Sequence, residues 1–415
     1  MIRRLSFRFV AIALLLSVSI PGASWAVGTS KSAHLIIVGP GDPMYTYWGH
    51  IGISIADADG ESLFYDFGNF SFHSENFYRD FAMGRMLYLG MVTRTERFIA
   101  YSLTEDRDLF AYPLNLTEDE LAILEARMRW WMMPENREYL YDYFRNNCST
   151  IIRDALDEAL GGAMAEATVG VSAGRDFRDY ARTGSAPSLG AELLLHYLLG
   201  PLQDETIDLW EAMFLPQAVA DVATSLELPA ADGGRRLLAG PPVVLKDSSR
   251  APVPESPRTL WPFTLAAGIL TAAAWLLLTA LRPGGRFSRG AAAAGRGAII
   301  LAVGLPGAFV AFLMAFTDHV SGHANLNLGP ALPTILLGLI PAIRAAGREG
   351  SEREREERRL ARLWAVNLAG LAIVAALRMT GLSAQNAFAF WAFYAPVLLA
   401  ASRPWNPILR RLRRT

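Results

Sequence analysis

The C-terminal third of this 415-residue chain most constrains its fold, because it is dominated by apolar stretches. Five of them lie near 259–281, 298–317, 329–346, 362–379 and 385–402. Each is close to the ~20 residues that a helix needs to cross ~30 Å of hydrocarbon. The third contains Pro333 and Pro341 and is expected to be kinked. The sequence therefore predicts an all-α bundle of about five transmembrane helices within residues 258–415, ending in a cytoplasmic tail.

The charges between these stretches predict which loops face the cytoplasm. Segments 282–297, 347–361 and 403–415 are rich in arginine, whereas 318–328 and 380–384 contain no lysine or arginine. This alternation follows the positive-inside rule and places the chain before residue 258 outside the cytoplasm. The Glu/Arg run at 352–359 is interpreted as a solvated extension of a helix near the cytoplasmic surface.

The N-terminus has the pattern of a secretory signal. Arg3 and Arg4 precede an apolar run over 9–20 and a small-residue exit, which predicts a signal peptide at 1–26 cleaved after Ala26. An uncleaved anchor helix is the alternative. Residues 27–225 are then a periplasmic domain, and 226–257, rich in Pro, Gly and charge, are a linker. The expected location is the inner (cytoplasmic) membrane, with several passes. A net charge of −1 gives no case for nucleic-acid binding.

The exported part has a mixed α+β pattern. A strand is predicted at 34–38, and a hairpin at 51–56 and 62–67 surrounds an Asp-Gly turn. A short helix at 74–84 and strand segments over 85–112 follow. Thr117 and Glu120 form a capping-box pattern for a helix running to about residue 133. A second helix is predicted from Glu135 onward, leading into the segment that holds the only cysteine.

That cysteine, Cys148, has the position expected of a nucleophile. Asn147 is a good helix N-cap, so Cys148 lies in the first turn, where the positive end of the helix favours the thiolate form. Cys148, Ile152 and Ala155 share one helix face. A buried structural cysteine is the alternative. A single thiol in an exported domain cannot form an intramolecular disulfide, which favours the nucleophile.

His50 is the predicted partner of Cys148. It follows Trp48-Gly49 at the start of a strand, and a histidine there can activate the thiol. The hairpin register brings residues 50–51 opposite about 66–68, so Asp66 is a candidate to orient the imidazole. Three other polar residues compete for that supporting role: Tyr47, Asn69 and Asn146.

The predicted outward loop 318–328 carries a second polar group of residues, His319, His323, Asn325 and Asn327. Three interpretations stay open. The loop contacts a lipid headgroup or docks beneath the active site; it forms a metal site with Asp318; or it is a plain polar loop with turn-forming residues.

These motifs together resemble a known family. The order His-before-Cys resembles the circularly permuted papain-like group that includes lecithin:retinol acyltransferase. The sequence is more closely similar to bacterial Lnb-type lipoprotein N-acyltransferases. The similarity is carried by Tyr45-Thr-Tyr-Trp-Gly-His50, Tyr65-Asp-Phe-Gly-Asn-Phe-Ser-Phe72, Asn76-Phe-Tyr-Arg-Asp-Phe-Ala-Met-Gly84, the block from Pro134 through Asn-Cys148-Ser to Asp154, Phe214-Leu-Pro216, Phe316-Thr-Asp-His319 and Asn325-Leu-Asn-Leu328.

The resemblance implies an acyltransferase. An acyl chain would pass from a phospholipid, or from the lipoprotein itself, to Cys148 and then to the α-amine of a diacylated lipoprotein. His50 would act as the base, and Asp66 completes the expected catalytic set. No cofactor or metal is expected. The expected substrate contacts are Trp48, Asn147, Ser149, His319 and Asn325, with the N–H groups around Cys148 and Ser149 holding the oxyanion. The alternatives are an exported cysteine hydrolase (amidase, peptidase or thioesterase) and a non-catalytic membrane assembly factor.

Overall fold

A computed structural model describes residues 31–70, 76–280 and 285–403 of the chain. The predicted signal peptide at 1–26 lies outside the described residues, as does most of the predicted tail.

The N-terminal domain is built on a seven-stranded sheet with the order β11-β5-β1-β2-β3-β4-β6. The paired strands are antiparallel. Two small sheets, β9-β10 and β7-β8, lie beside it. The strands are β1 (Ser32–Val38), β2 (His50–Ala56), β3 (Ser62–Asn69), β4 (Leu87–Arg94), β5 (Leu109–Leu114), β6 (Glu138–Leu140), β7 (Ser172–Asp176), β8 (Thr206–Asp208), β9 (Glu227–Pro229), β10 (Arg235–Leu237) and β11 (Val243–Lys246).

Nine helices accompany these strands within the described residues. They are α1 (Phe77–Ala82), α2 (Thr95–Ser102), α3 (Glu118–Trp131), α4 (Cys148–Ala159), α5 (Ala163–Thr168), α6 (Phe177–Gly184), α7 (Leu189–Leu198), α8 (Leu209–Ala212) and α9 (Pro216–Ser225). Short 3-10 turns occur at Met44–Thr46 and Pro201–Gln203. The capping box predicted for α3 is confirmed, because Thr117 accepts the Glu120 N–H and Glu120 accepts the Thr117 N–H.

The alternation of apolar residues explains how the sheet is covered. Leu35, Ile37, Ile51 and Ile53 are buried in one core with residues of α3, α4 and α9. Their neighbours along the strands face the other side, where Val38 and other residues pack against α2. Because both faces are covered, the two-residue period fixes which side chains of β2 and β3 can meet.

Two predictions in this domain were wrong. The segment 85–112 is not all strand, since Thr95–Ser102 forms α2. The segment after Glu135 is not a helix, because Glu138–Leu140 forms β6 and pairs with β4. Tyrosines at every second position, 139, 141 and 143, have the period of a strand rather than of a helix.

The predicted linker at 226–257 also differs from the structure. Residues 227–237 form a small hairpin, and β11 is an edge strand of the main sheet that pairs with β5. The Pro and Gly residues there separate short strands, so the domain continues to Lys246. The irregular connection to the first membrane helix is correspondingly shorter.

The helical class of the C-terminal region is confirmed. The helices are α10 (Trp261–Ala280), α11 (Arg286–Phe316), α12 (Leu339–Gly347), α13 (Gly350–Met379) and α14 (Phe388–Ala401), with 3-10 turns at Val320–Gly322, Leu326–Ala331 and Pro333–Gly338. Four segments of the described chain are long and apolar enough to cross a membrane: 261–280, 286–316, 326–347 and 350–379. The fifth predicted stretch is the shorter apolar helix α14. The third is irregular until residue 339, as its prolines predicted.

Close helix contacts and ion pairs hold this region together. A Cβ on Gly307 would lie 1.5 Å from the Ala331 carbonyl oxygen, so only glycine permits that approach. The Glu/Arg run is not simply solvated. Glu357 makes two hydrogen bonds of 2.8 Å with Arg296 inside the bundle, and the buried Glu356 pairs with Arg348.

The two parts of the molecule contact each other at two places. Near α1, the Asp318 N–H donates to the Met83 carbonyl oxygen at 2.8 Å, and Arg85 pairs with Asp318. At the end of α7, the Tyr197 hydroxyl bonds the Tyr394 hydroxyl at 2.9 Å. The loop 318–328, which was predicted to face outward, and helix α14 therefore contact the N-terminal domain.

Candidate active site

Helix α4 begins at the thiol. The Asn147 side chain accepts the N–H groups of Ser149 and Thr150 at 2.9 and 3.0 Å, and Thr150 Oγ1 accepts the Asn147 N–H. The predicted N-cap is thus confirmed, and Cys148 occupies the first helical position. The cysteine is 8% exposed, packed in the core that α4 shares with β2 and β3.

His50 is placed by the turn before it. Gly49 has φ of 78°, and a Cβ there would lie 2.7 Å from the Val38 carbonyl oxygen, so this position needs glycine. The pairing of β2 with β3 sets Asp66 opposite Gly52. His50 Nε2 lies 2.9 Å from Asp66 Oδ1. The structure thus brings together the two residues that the hairpin register had connected.

The imidazole also contacts the thiol. His50 Nε2 faces Asp66, and Cys148 is a second neighbour whose hydrogen bond and charge favour the protonated ring. Burial opposes protonation of the ring, but the charge and hydrogen bond of Asp66, followed by those of Cys148, outweigh it and raise the pKa of His50 to about 10. The geometry therefore favours an imidazolium held between a carboxylate and a sulfur atom.

Tyr139 is a neighbour of this cluster that the sequence analysis did not select. Burial, and then the charges of Cys148 and Asp66, raise the pKa of Tyr139, so its hydroxyl keeps its proton. The hydroxyl lies near the Gly68 backbone, yet it makes no hydrogen bond of good geometry with any described residue. The two-residue spacing of the tyrosines was the signal that could have placed it on a strand facing the cysteine.

Three predicted substrate contacts instead have roles within the chain. Trp48 Nε1 donates to the Tyr180 carbonyl oxygen at 3.3 Å and packs against Gly184 of α6. Asn147 is engaged in the cap, and its Nδ2 also donates to the Phe214 carbonyl oxygen at 3.0 Å. Ser149 is fully buried, and its N–H donates to the Asn147 side chain. This N–H is therefore already engaged, although it was predicted to hold the oxyanion.

The loop residues 318–328 do not converge on Cys148. His319 Nε2 donates to the Phe81 carbonyl oxygen at 3.0 Å, which makes it a contact between the two parts of the molecule. Asn325 is 3% exposed, and its Nδ2 donates to the carbonyl oxygens of Tyr197 and Leu198. Within residues 31–70, 76–280 and 285–403, no group of three or more His, Cys, Asp or Glu side chains is arranged to hold a metal ion.

A cavity of about 400 Å³ opens beside His50 and Asp66. Its wall combines charged residues, among them Asp42, Glu105 and Arg250, with apolar or aromatic residues such as Phe98 and Tyr101. The charged part of the wall suits a polar group, because burying an alkyl chain against charged groups would desolvate them without replacing their hydrogen bonds.

The fold and the site define an α+β domain in which a cysteine, a histidine and an aspartate meet, followed by a helical region with segments able to span a membrane. Residues 25–179 match the family described as the Lnb N-terminal periplasmic domain. No curated protein and no solved structure matches the chain.

Proposed function

We propose that this protein is a membrane-anchored cysteine acyltransferase that N-acylates the N-terminal cysteine of lipoproteins. The observation that carries the proposal is the position of His50, which interacts with both Cys148 and Asp66. The match of residues 25–179 to the Lnb N-terminal periplasmic domain supports it, because the resemblance of the motifs to Lnb-type enzymes points to the same chemistry. The contacts of the loop 318–328, predicted to face outward, with this domain support a catalytic domain on the periplasmic side of the inner membrane.

The first half-reaction loads the thiol. The Cys148 proton moves to His50, the sulfur attacks the ester carbonyl of a lipid donor, and a C–S bond forms. When the tetrahedral intermediate collapses, the ester C–O bond breaks and His50 returns the proton to the departing alkoxide. Asp66 holds the ring in the orientation and charge state that both proton transfers need.

The second half-reaction delivers the acyl chain. The α-amine of a diacylated lipoprotein attacks the thioester and forms a C–N bond, while the C–S bond breaks. His50 takes the proton that the amine loses, and the thiol is regenerated. Dividing the transfer into two steps through a good leaving group lowers both barriers.

Both steps need donors to the developing oxyanion. Because the Ser149 N–H is engaged in the helix cap, the Tyr139 hydroxyl is the leading donor, together with the Cys148 N–H. The Tyr139 hydroxyl is buried, protonated and not committed to another acceptor of good geometry among the described residues. A donor in that state stabilises charge that develops only in the transition state.

The test is mass spectrometry on the full chain in phospholipid vesicles. We expect a mass increase of one acyl chain on Cys148, and transfer of that chain to a synthetic diacylated lipopeptide with a free α-amine. The Cys148→Ala variant is the control and should show neither product. Free fatty acid with no amide product, even when the lipopeptide is in excess, would identify a hydrolase instead. Undiminished lipoprotein acylation by Cys148→Ala would exclude both enzymatic functions.

A further inference from the structure

A row of aromatic side chains leads away from the active site. It consists of Tyr141, Tyr88, Phe70, Phe77 and Phe81, called here the aromatic track. Successive ring centroids are 4.3, 5.0, 5.6 and 5.9 Å apart, so the rings form a continuous apolar surface. Three of the four contacts are stacked.

The inner end of the track is at the thiol. Tyr141 packs against the core cluster that contains Cys148, and burial, followed by the charge of Cys148, raises the pKa of its hydroxyl. Tyr88 lies in the same cluster. A chain attached through a carbonyl carbon to the sulfur would therefore meet these two rings first.

The outer end is at the predicted membrane boundary. The Phe81 carbonyl oxygen accepts a hydrogen bond from His319, in the loop that follows α11. Phe316, the last residue of α11, is 67% exposed, and Val320 in the same loop is 54% exposed. The track thus connects the reactive sulfur with the end of a segment able to span a membrane.

The track gains surface exposure toward this outer end. Tyr88 is buried, Phe70 and Phe77 are half-buried, and Phe81 is 40% exposed. Tyr45, 63% exposed, packs edge-on against Phe70 at 5.8 Å. An exposed apolar surface beside a reactive site is where an apolar ligand binds. The three phenylalanine rings provide no hydrogen-bonding atoms, so they fit an alkyl chain better than a peptide backbone.

We infer that the aromatic track binds the acyl chain of a bilayer lipid and guides its carbonyl carbon to Cys148. The inference rests on the proposed acyl transfer and adds where the transferred chain lies. It assigns the chain to the surface formed by α1 and β4, because the rings there are in continuous contact, whereas the cavity beside His50 and Asp66 is also lined by charged side chains such as Asp106 and Arg250.

The test compares two donors on the full chain in vesicles. Formation of the Cys148 thioester is followed with a long-chain phospholipid and with a short-chain, water-soluble activated ester. For the double variant Phe77→Ala/Phe81→Ala we expect about tenfold slower acylation by the phospholipid, the loss that ~1.4 kcal/mol of lost apolar contact produces. Acylation by the short ester should stay within about twofold of wild type, because it does not reach these rings.

Two further variants separate lipid binding from folding. Phe77→Leu/Phe81→Leu keeps an apolar surface and should recover most of the phospholipid rate. Ile123→Ala removes an apolar side chain of similar exposure, 43%, from the outer face of α3 and should change neither rate. If the Phe77→Ala/Phe81→Ala variant loses the same acylation rate with both donors, or loses none with either, the inferred role of the aromatic track is wrong. A wild-type protein that forms no thioester with either donor overturns the proposed acyl transfer itself.

Discussion

Two polar clusters of this molecule, both expected to contact substrate, differ in how their hydrogen bonds are used. Around Cys148, the Tyr139 hydroxyl has no partner of good geometry among the described residues, and the His50 side chain is 24% exposed. Around Asn325, the amide nitrogen donates to two carbonyl oxygens of α7, and the amide oxygen accepts from Gln385 and from the Asn327 N–H. A side chain whose groups are all engaged by its own chain holds the structure together. Spare donor capacity beside a nucleophile indicates where substrate binds.

His50→Ala gives the largest expected effect on the active-site side of this comparison. Without a group to take and return the proton, formation of the Cys148 thioester should slow by about 10²–10⁴-fold. The thermal unfolding midpoint should fall as well, because the variant loses the stabilisation that the raised pKa of His50 reflects, so the rate is compared per folded molecule. Thioester formation followed by intact mass is the measurement. A rate near wild type would mean that the His50–Cys148 contact is structural and would remove the basis of the proposed mechanism.

Tyr139→Phe tests whether spare donor capacity has a function. Loss of one oxyanion donor should lower the rate of acyl transfer by about 10²-fold. The fold should be retained, because the ring stays in place and no good hydrogen bond is lost. Tyr143→Phe is the matched control: it removes a neighbouring hydroxyl that donates only to the Met86 sulfur, and we expect wild-type rates. If the two variants behave alike, the Tyr139 hydroxyl does not reach the reacting carbonyl.

Asp66→Asn should act through the protonation of His50. The imidazole pKa of about 10 lies above its unfolded value of 6.5 because Asp66 and Cys148 outweigh the effect of burial. Removing the carboxylate charge should lower that pKa by at least about one unit, given ~1.4 kcal/mol per unit and ~1.5–3 kcal/mol for a charged hydrogen bond.

The pH profile gives the sign of this effect. The imidazolium must donate a proton to the leaving group, so the basic limb of the rate profile should move to lower pH in the variant. Stability follows the same linkage. The stabilisation from the raised pKa is complete below pH 6.5 and is lost as the pH rises through about 10. Between these two pH values, the free energy of unfolding of the wild type should decrease as the pH rises. In Asp66→Asn it should decrease less. A basic limb at the same pH in both proteins contradicts this role of Asp66.

The sequence predicted the residues whose signals are local. Asn147 and the capping box of α3 each depend on side chains within three positions. The Asp-Gly turn set the β2–β3 register that brings Asp66 within hydrogen-bond distance of His50. The kink of the third membrane segment followed from its prolines. These features need no knowledge of distant parts of the chain.

Features that depend on long-range packing were missed. β6 reads as part of a helix until its pairing with β4, about fifty residues earlier, fixes it as a strand. β11 has the composition of a linker and becomes a strand because the edge of β5 is open to it. Asparagine is a residue type that often contacts ligands, so Asn325 was predicted to do so. Only the position of the α7 carbonyl groups shows that its amide is already engaged.

Asn325→Leu tests the other side of the comparison and has the smallest expected effect on chemistry. It removes the Asn325 donor from the Leu198 carbonyl oxygen, whereas the Tyr197 carbonyl oxygen keeps the Asn327 amide and Gln385 keeps the Leu199 carbonyl oxygen as an acceptor. We expect a loss of about 1–3 kcal/mol in unfolding free energy, measured by thermal unfolding in detergent. The rate of Cys148 acylation per folded molecule should be unchanged. Asn136→Ala, which removes an exposed amide donating to the Trp130 carbonyl oxygen, is the control and should lower stability far less. A variant that unfolds like wild type but fails to acylate Cys148 would return Asn325 to the substrate site. The hydrogen bonds of the Asn325 side chain within the protein would then have to break when lipid binds.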